Sequence, residues 1–247
     1  MKHTQADNIF SKPLDKVADF AFDEAVARVF PDMIRRSVPG YTTIIPMIGI
    51  ITEHYAQNDT HCYDLGCSLG ASTLAMRHGL KNKHCKLIAI DNSSAMLEHC
   101  RHHIELDNEK TPVELMNADI NSLDFKPSSV ITLNFTLQFI DPELRTILLS
   151  KIYRALIPGG VLILSEKICF DNKSEQSALE NLHWDFKKAN GYSELEVSQK
   201  RSALEQVLLP DTLDTHKTRL EKSGFTDTHL WYQCFNFMSL IAVKNKE

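Results

Sequence analysis

Glycine is scarce in this chain, nine residues in 247, and four of the nine sit in two short corners. Turns that use so rare a residue twice carry a conformational demand that other side chains meet poorly. None of the six cysteines (62, 67, 85, 100, 169, 234) belongs to a C-x-x-C pair. That leaves no metal or redox motif of that spacing and predicts the reduced thiols of a cytoplasmic protein. No apolar run is long enough to span a bilayer, and residues 1–7 have no apolar signal core, so no membrane association is expected. An excess of positive charge is missing too. The formal net charge is −5, against the broad basic face of a nucleic-acid binder, so no direct contact with nucleic acid is expected. There is no internal repeat, linker or low-complexity tract, and 43% of the residues are hydrophobic. These bounds predict one α/β domain over residues 1–247.

What is present is concentrated in Cys62-Tyr63-Asp64-Leu65-Gly66-Cys67-Ser68-Leu69-Gly70-Ala71-Ser72-Thr73. An apolar approach ends in an acid, a glycine-spaced turn follows, and small residues open a helix. This is the hand-over from a parallel strand to a helix that cradles a nucleoside-bearing ligand. A pyrophosphate cradle would carry a glycine where Ser68 stands. A second acid, Asp91, closes the run Leu87-Ile88-Ala89-Ile90, 25 residues after Gly66; a carboxylate there can accept both ribose hydroxyls. Together these features predict a ligand with a ribose but no phosphates, and S-adenosyl-L-methionine fits. Asp119, after Val113-Glu114-Leu115-Met116-Asn117-Ala118, is positioned to accept from the exocyclic amine of adenine, with Ile120 packed on the ring. Asn134 stands near the end of the apolar run that begins at Val130. Leu156-Ile157-Pro158-Gly159-Gly160 is expected to end a helix over 142–156 and turn the chain into a buried strand over 161–166.

Residues 1–60 read as a helical N-terminal cap. Pro31 is expected in the first turn of a restarted helix, Ser37-Val38-Pro39-Gly40-Tyr41 breaks the chain, and a helix over 42–55 leads into the first strand. Residues 61–170 alternate five strand-like runs with helices, which predicts a parallel sheet with ligand at the strands' C-terminal edge. Residues 171–210 read as a polar helical insertion or lid. A helix over 211–223 and two strands near 229–233 and 237–243 follow, joined closely enough for a hairpin. The sum resembles the α/β, Rossmann-like class I methyltransferase fold, and predicts a seven-stranded, mostly parallel sheet with one antiparallel strand.

The lysines of Lys187-Lys188 and Lys200 read as solvated helix faces. His99 and His103 lie four apart on a helix but lack a third ligand of suitable spacing, so no metal is expected. Trp184 and Tyr192 are expected to pack a lid or subunit interface rather than stack on RNA bases. Cys67 reads as a small residue lining the ligand loop. Asn134-Phe135 lacks the prolines of the N-P-P-[FY] signature of amino-group methyltransferases.

Several strings resemble the carboxy-S-adenosyl-L-methionine synthase family. They are Phe30-Pro31-Asp32-Met33-Ile34-Arg35-Arg36-Ser37-Val38-Pro39-Gly40-Tyr41, Asp64-Leu65-Gly66-Cys67-Ser68, Asn134-Phe135-Thr136-Leu137-Gln138-Phe139, Glu166-Lys167, and the stretch from Ala189 to Arg201. The resemblance runs from about residue 8 to residue 243. It implies an enzyme that converts S-adenosyl-L-methionine, as substrate, and prephenate into carboxy-S-adenosyl-L-methionine, releasing phenylpyruvate and water. The product then goes to a partner tRNA carboxymethyltransferase that modifies a wobble uridine. The resemblance places Tyr41, Gly66, Cys67, Ser68, Asp91, Asn92, Asp119, Ile120, Asn134 and Arg201 around the ligand. Arg201 is implied to hold the new carboxylate and is the expected catalytic residue, donated across the interface of a homodimer. Two other readings compete: a conventional methyltransferase acting on a small acidic metabolite, and a catalytically silent sensor of S-adenosylmethionine.

Overall fold

The computed structural model describes residues 5–14 and 17–246. Asp23 opens the first helix, α1 (Glu24–Ser37), by accepting the Val26 amide at 2.9 Å, which satisfies one of the free N–H groups of a helix start. The helix runs through Pro31 without a break, so the proline lies mid-helix and starts no second helix. Its missing N–H weakens the helix there, but Val26, Val29 and Met33 on either side bury one continuous face against Leu69 and Met96. Residues 17–23, expected to be helical, are irregular. They are held by the Phe20 amide, which donates to Ala203 O, and by Phe22, packed edge-on against Phe30 and Phe139. Gly40, with φ +79°, leads into α2 (Tyr41–Tyr55).

Strands and helices then alternate: β1 (Thr60–Leu65), α3 (Ala71–Gly79), β2 (Cys85–Asp91), α4 (Ser94–Leu106), β3 (Val113–Asn117), β4 (Ser128–Asn134), α5 (Pro142–Ala155) and β5 (Leu156–Cys169). Two helices, α6 (Lys173–Ala189) and α7 (Glu194–Leu204), precede β6 (Asp211–Thr212), α8 (Leu213–Lys222), β7 (Asp227–Cys234) and β8 (Phe237–Val243). The strand order is β3-β2-β1-β4-β5-β8-β7. The first five of these strands are parallel, and β8 runs antiparallel to both neighbours. This is the mostly parallel sheet with one antiparallel strand that the sequence predicts.

Two boundaries differ from expectation. Asp211 and Thr212 pair with Ile168 and Cys169 of β5, and the helix starts only afterwards, with the Thr212 hydroxyl accepting the Thr215 amide. Pro158-Gly159-Gly160 is no corner ahead of a strand. β5 begins directly after α5 and carries these residues as an irregularity between the pairs Ser128↔Leu156 and Val130↔Val161. Such a bulge lets pairing with β4 continue on both sides, while Gly159 and Gly160 exchange backbone bonds with Lys244 just past β8.

The central strands are apolar on both faces, as a sheet covered on both sides requires. Leu65, Ile90, Leu133 and Leu164 pack against Leu148, Leu149 and Ile152 of α5 and Leu220 of α8. Cys62, Leu87, Val130 and Ile163 pack on the other side against Ile44 and Ile48 of α2 and Met76 of α3. Full burial of each such Leu or Ile contributes about 1.5–3 kcal/mol. The direction of strand addition reverses between β1 and β4, where a doubly wound sheet opens its crevice at the C-terminal strand ends.

Candidate active site

A cavity of about 650 Å³ opens at those strand ends, and every site residue expected from the sequence except Arg201 lines it. The turn after β1 is tied to β2. The amides of Gly66 and Cys67 both donate to Ile90 O, at 2.8 and 2.9 Å, and the Ser68 amide donates to Asp91 Oδ2 at 2.8 Å. All three amides are therefore engaged, and none is left for a phosphate or carboxylate. The turn was expected to present backbone groups to the ligand, and the groups it retains for that are acceptors.

Acceptors dominate this end of the cavity. Asp91 Oδ1 takes the Ser93 amide at 2.9 Å; burial raises its carboxyl from the usual range, while the amides of Ser93, Ser68 and Asn92 oppose that. Asn92 is exposed beside it. Asp119 is exposed, and its Oδ1 accepts both the backbone N–H and the side-chain amide of Asn121 at 2.9 Å, leaving Oδ2 for a ligand. Ile120 is buried next to it, and the Ala118 amide donates to Asp91 O at 3.1 Å, joining the tips of β2 and β3. Asn134 donates from Nδ2 to Ser72 Oγ at 3.0 Å, but its buried Oδ1 has no partner among the described residues.

Asp64, which sequence reading noted without giving it a role, is also incomplete. It is 1% exposed, its Oδ2 accepts the Thr73 hydroxyl at 2.6 Å, and its buried Oδ1 has no partner among the described residues. Burial pushes its carboxyl up to about 7, with the Thr73 bond opposing and the charge of Asp91 adding. Tyr41 lines the cavity close by; burial, then Asp64, raises its phenol. Two cavity residues other than glycine hold left-handed backbone, Ser68 at φ +50° and Phe135 at φ +60°. Each such position costs about 1–3 kcal/mol and persists only where neighbours over-determine it. Here the Ser68–Asp91 bond and the 2.7 Å bond from the Phe135 amide to Ser165 O do so.

Orphaned acceptors at Asp64 and Asn134, two acids over β2 and β3, and a turn whose Gly66, Cys67 and Ser68 amides are already taken suit one ligand chemistry. They fit S-adenosylmethionine, with its ammonium, sulfonium, ribose and adenine, and they do not fit a dinucleotide's pyrophosphate.

The other end of the cavity is basic, and here the sequence reading is corrected. Lys187 and Lys200 are 7% and 4% exposed and line the cavity together with Lys167 and His183. Only Lys188 sits on a solvated face, paired with Asp185 at 2.8 Å. Lys200 Nζ donates to Ser37 Oγ at 2.9 Å, to Tyr192 Oη at 3.3 Å and to Asp7 Oδ2 at 3.4 Å. Burial pushes it down to about 8, against the pull of Asp7. Lys187 is pushed down to about 7 by burial and then by Lys200, Lys167 and Arg201. His183 Nε2 lies 2.8 Å from Ser37 O; a carbonyl only accepts, so Nε2 carries the proton and Nδ1 is an acceptor. Burial holds this imidazole neutral. The i,i+4 spacing of His183 and Lys187 was the available signal that both share one helix face.

Two further supports were not read from the sequence. Glu166, fully buried, accepts the amides of Leu137 and Gln138 at 2.8 and 2.9 Å, and Gln138 Oε1 accepts the Lys167 amide at 2.9 Å. Burial pushes the Glu166 carboxyl up to about 8 while those amides oppose. Residues 7–14 form a strap over α7. Gln199 donates to Phe10 O and Lys12 O and accepts the Leu14 amide, while the Tyr192 hydroxyl bonds Asp7.

Arg201 stays outside. It is exposed, with Cζ 5.1 Å from the Trp184 ring centroid. The reason is helical phase: Gln199, Lys200 and Ala203 face inward on α7, so Arg201 faces out. Within one chain it does not reach the cavity. Among the described residues no three His, Cys, Asp or Glu side chains gather as a metal site; His103 bonds Leu69 O and His99 lies 3.5 Å from Glu24. All six cysteines are free, and a contact with Cys100 together with burial pushes the Cys67 thiol up, which suits a wall residue and not a nucleophile. Among the described residues no helix is long and apolar enough to cross a membrane.

Comparison with known proteins places these features. Residues 63–160 match a family model described as a methyltransferase domain. The carboxy-S-adenosyl-L-methionine synthase of Marinobacter nauticus is 60% identical over 92% of this chain and 91% of its own length. That of Photobacterium profundum is 56% identical over 99% of this chain and 100% of its own. Among solved structures, human N-acetylserotonin methyltransferase in complex with S-adenosylmethionine superposes with a TM-score of 0.58 at 14% identity, over 90% of this chain and 56% of its own; that likeness shows the fold alone.

Proposed function

The chain belongs to the carboxy-S-adenosyl-L-methionine synthase family, and from that premise we propose that it makes carboxy-S-adenosylmethionine from S-adenosylmethionine and prephenate. The observation that carries this reading is the continuity of the cavity, which runs from Asp91 and Asp119 past Asn134 to Lys167 and Lys187. A sulfonium methyl group and an anionic carboxyl donor can therefore share one chamber.

The atoms balance. The donor loses its ring carboxyl as carbon dioxide and its ring hydroxyl as hydroxide, and the ring becomes aromatic. The sulfonium acidifies the methyl C–H bonds, one proton leaves, and the resulting carbon attacks the carbon dioxide. Proton and hydroxide combine as water, and phenylpyruvate remains. Protein residues bind, orient and exclude water; no side chain has to keep the proton.

In this reading two copies associate and each lends Arg201 to the other's new carboxylate, which a guanidinium can hold bidentately. The six free thiols suit a reducing cytoplasm. The product serves a separate enzyme that carboxymethylates a tRNA wobble uridine, so this chain needs no nucleic-acid face of its own.

Purified protein incubated with S-adenosylmethionine, with and without prephenate, tests the reading by mass spectrometry. A cofactor species heavier by one carboxyl group, formed together with phenylpyruvate only when prephenate is present, is the expected result. Methyl transfer to a small acid without any prephenate requirement would replace it with the conventional methyltransferase reading.

A further inference from the structure

Two cations in the cavity have no bonded counter-charge; Glu180 favours both only from a distance. Lys187 and Lys167 both line it, and the Nζ of neither has a hydrogen-bond or ion-pair partner among the described residues. Lys200, on the adjoining helix, shows the contrast with its three partners. Lys187 is 7% exposed and Lys167 half-buried; ammonium groups largely shielded from bulk water and without a bonded acceptor are costly, so two of them facing one cavity mark a place that an anion completes. S-adenosylmethionine cannot be that anion, since its sulfonium and ammonium outweigh its single carboxylate.

Sheet topology separates the two ends. The nucleoside acids stand over β2 and β3, and the orphaned Asn134 stands at the tip of β4. Asn134 pairs with Ser165 of β5, and Lys167 follows two residues later on that strand. Neighbouring strands lie about 4.8 Å apart, so a ligand over β5 sits one strand beyond the reacting methyl group and about three beyond the ribose. Lys167 is fixed there through its amide by Gln138, and Gln138 through its own amide by Glu166. From the opposite wall α6 delivers Lys187 and the neutral His183 one turn apart.

We propose that Lys167 and Lys187 form the seat of a dicarboxylate carboxyl donor, separate from the S-adenosylmethionine cradle and built across β5 and α6. The inference rests on the carboxyl-transfer reading and assigns it a donor site. The lysines select a doubly charged donor, and its carboxylates supply the bonded counter-charge that no described side chain gives them.

The experiment is calorimetric titration of prephenate into full-length protein loaded with S-adenosylhomocysteine, for the wild type, Lys167→Met, Lys187→Met and Lys187→Arg. Each methionine variant is expected to bind prephenate about 10- to 100-fold more weakly, as the loss of one charged hydrogen bond implies. Affinity for S-adenosylhomocysteine should stay within about twofold, which also reports an intact fold, and the arginine variant should recover part of the loss. Prephenate affinity within about twofold of wild type in both methionine variants would overturn the donor seat while leaving carboxyl transfer standing. Lysine-dependent prephenate binding without carboxylated product would remove carboxyl transfer and leave the seat. A wild-type protein that binds no prephenate would overturn both.

Discussion

Ser68 and Asp91 are joined by a 2.8 Å bond from the amide of the one to Oδ2 of the other, so the turn after β1 and the tip of β2 form a single unit. Asp91 thus shapes the turn, and in the proposed function it also offers its carboxylate to a ribose. Asp91→Ala should weaken S-adenosylhomocysteine binding by about 10- to 100-fold, from the loss of charge-assisted bonds of about 1.5–3 kcal/mol. Asp119→Ala should cost less than about tenfold, because Asp119 is exposed and one of its oxygens already serves Asn121. Calorimetry on both variants decides; the reverse ranking would move the ribose away from Asp91.

Gly66 has φ +78°, and a Cβ placed there would lie 2.4 Å from Thr136 Oγ1 and 2.5 Å from its Cγ2. Gly66→Ala therefore combines a disfavoured backbone with a clash against the cavity wall. We expect a loss of about 1–3 kcal/mol of stability, read by thermal unfolding. Adding Thr136→Gly should return only the steric part, because the backbone strain stays.

Lys187 supplies a pH dependence with a definite sign. Its folded value, about 7, lies below the ordinary 10.5, so between those limits the unfolded chain holds more protons and stability rises with pH. Below about 7 the folded protein carries the buried cation. Lys167, Lys200 and Arg201 oppose that charge, Glu180 favours it, and His183 beside it is neutral. Lys187→Met should therefore raise the melting temperature of the ligand-free protein more at about pH 6 than at about pH 9. The apparent KM for prephenate in the wild type should climb as pH passes from about 6 to about 8.5, and in the methionine variant it should stay flat. A merely structural lysine would give a variant less stable at both pH values.

Arg201 gives a test of subunit exchange. If a second copy supplies it, Arg201→Ala protein has a whole cavity and lacks only the partner's arginine, whereas Asp91→Ala protein has a ruined cavity and a usable arginine. Mixing the two inactive variants and letting subunits exchange should restore carboxylated product, measured by mass spectrometry. No recovery, with exchange demonstrated by differently tagged chains, would take Arg201 out of the shared site.

The parts that local chemistry dictates could be read from the sequence. Strand–acid–glycine order pointed to the turn after β1, and Gly66, Asp91, Asp119 and Asn134 all line the cavity there. Parallel alternation and the closing hairpin gave the sheet. What could not be read depends on contacts between distant segments. Pro31 reads as a helix start until packing on Leu69 and Met96 bridges it. Lys187 and Lys200 read as solvent-facing because charge alone does not reveal a helix's inner face. The role of Glu166 comes from the amides of Leu137 and Gln138, far back in the chain.

The strap over α7 also bears on how this protein is handled. Residues 7–14 are held to the molecule by Asp7, through Asp32, Tyr192 and Lys200, and by the three bonds of Gln199. Cutting those residues away would leave Lys200 buried without its counter-charge and free α7 to shift, and α7 forms one wall of the chamber. A chain trimmed past Leu14 to make a tidier crystal would therefore carry a lesion in its active site.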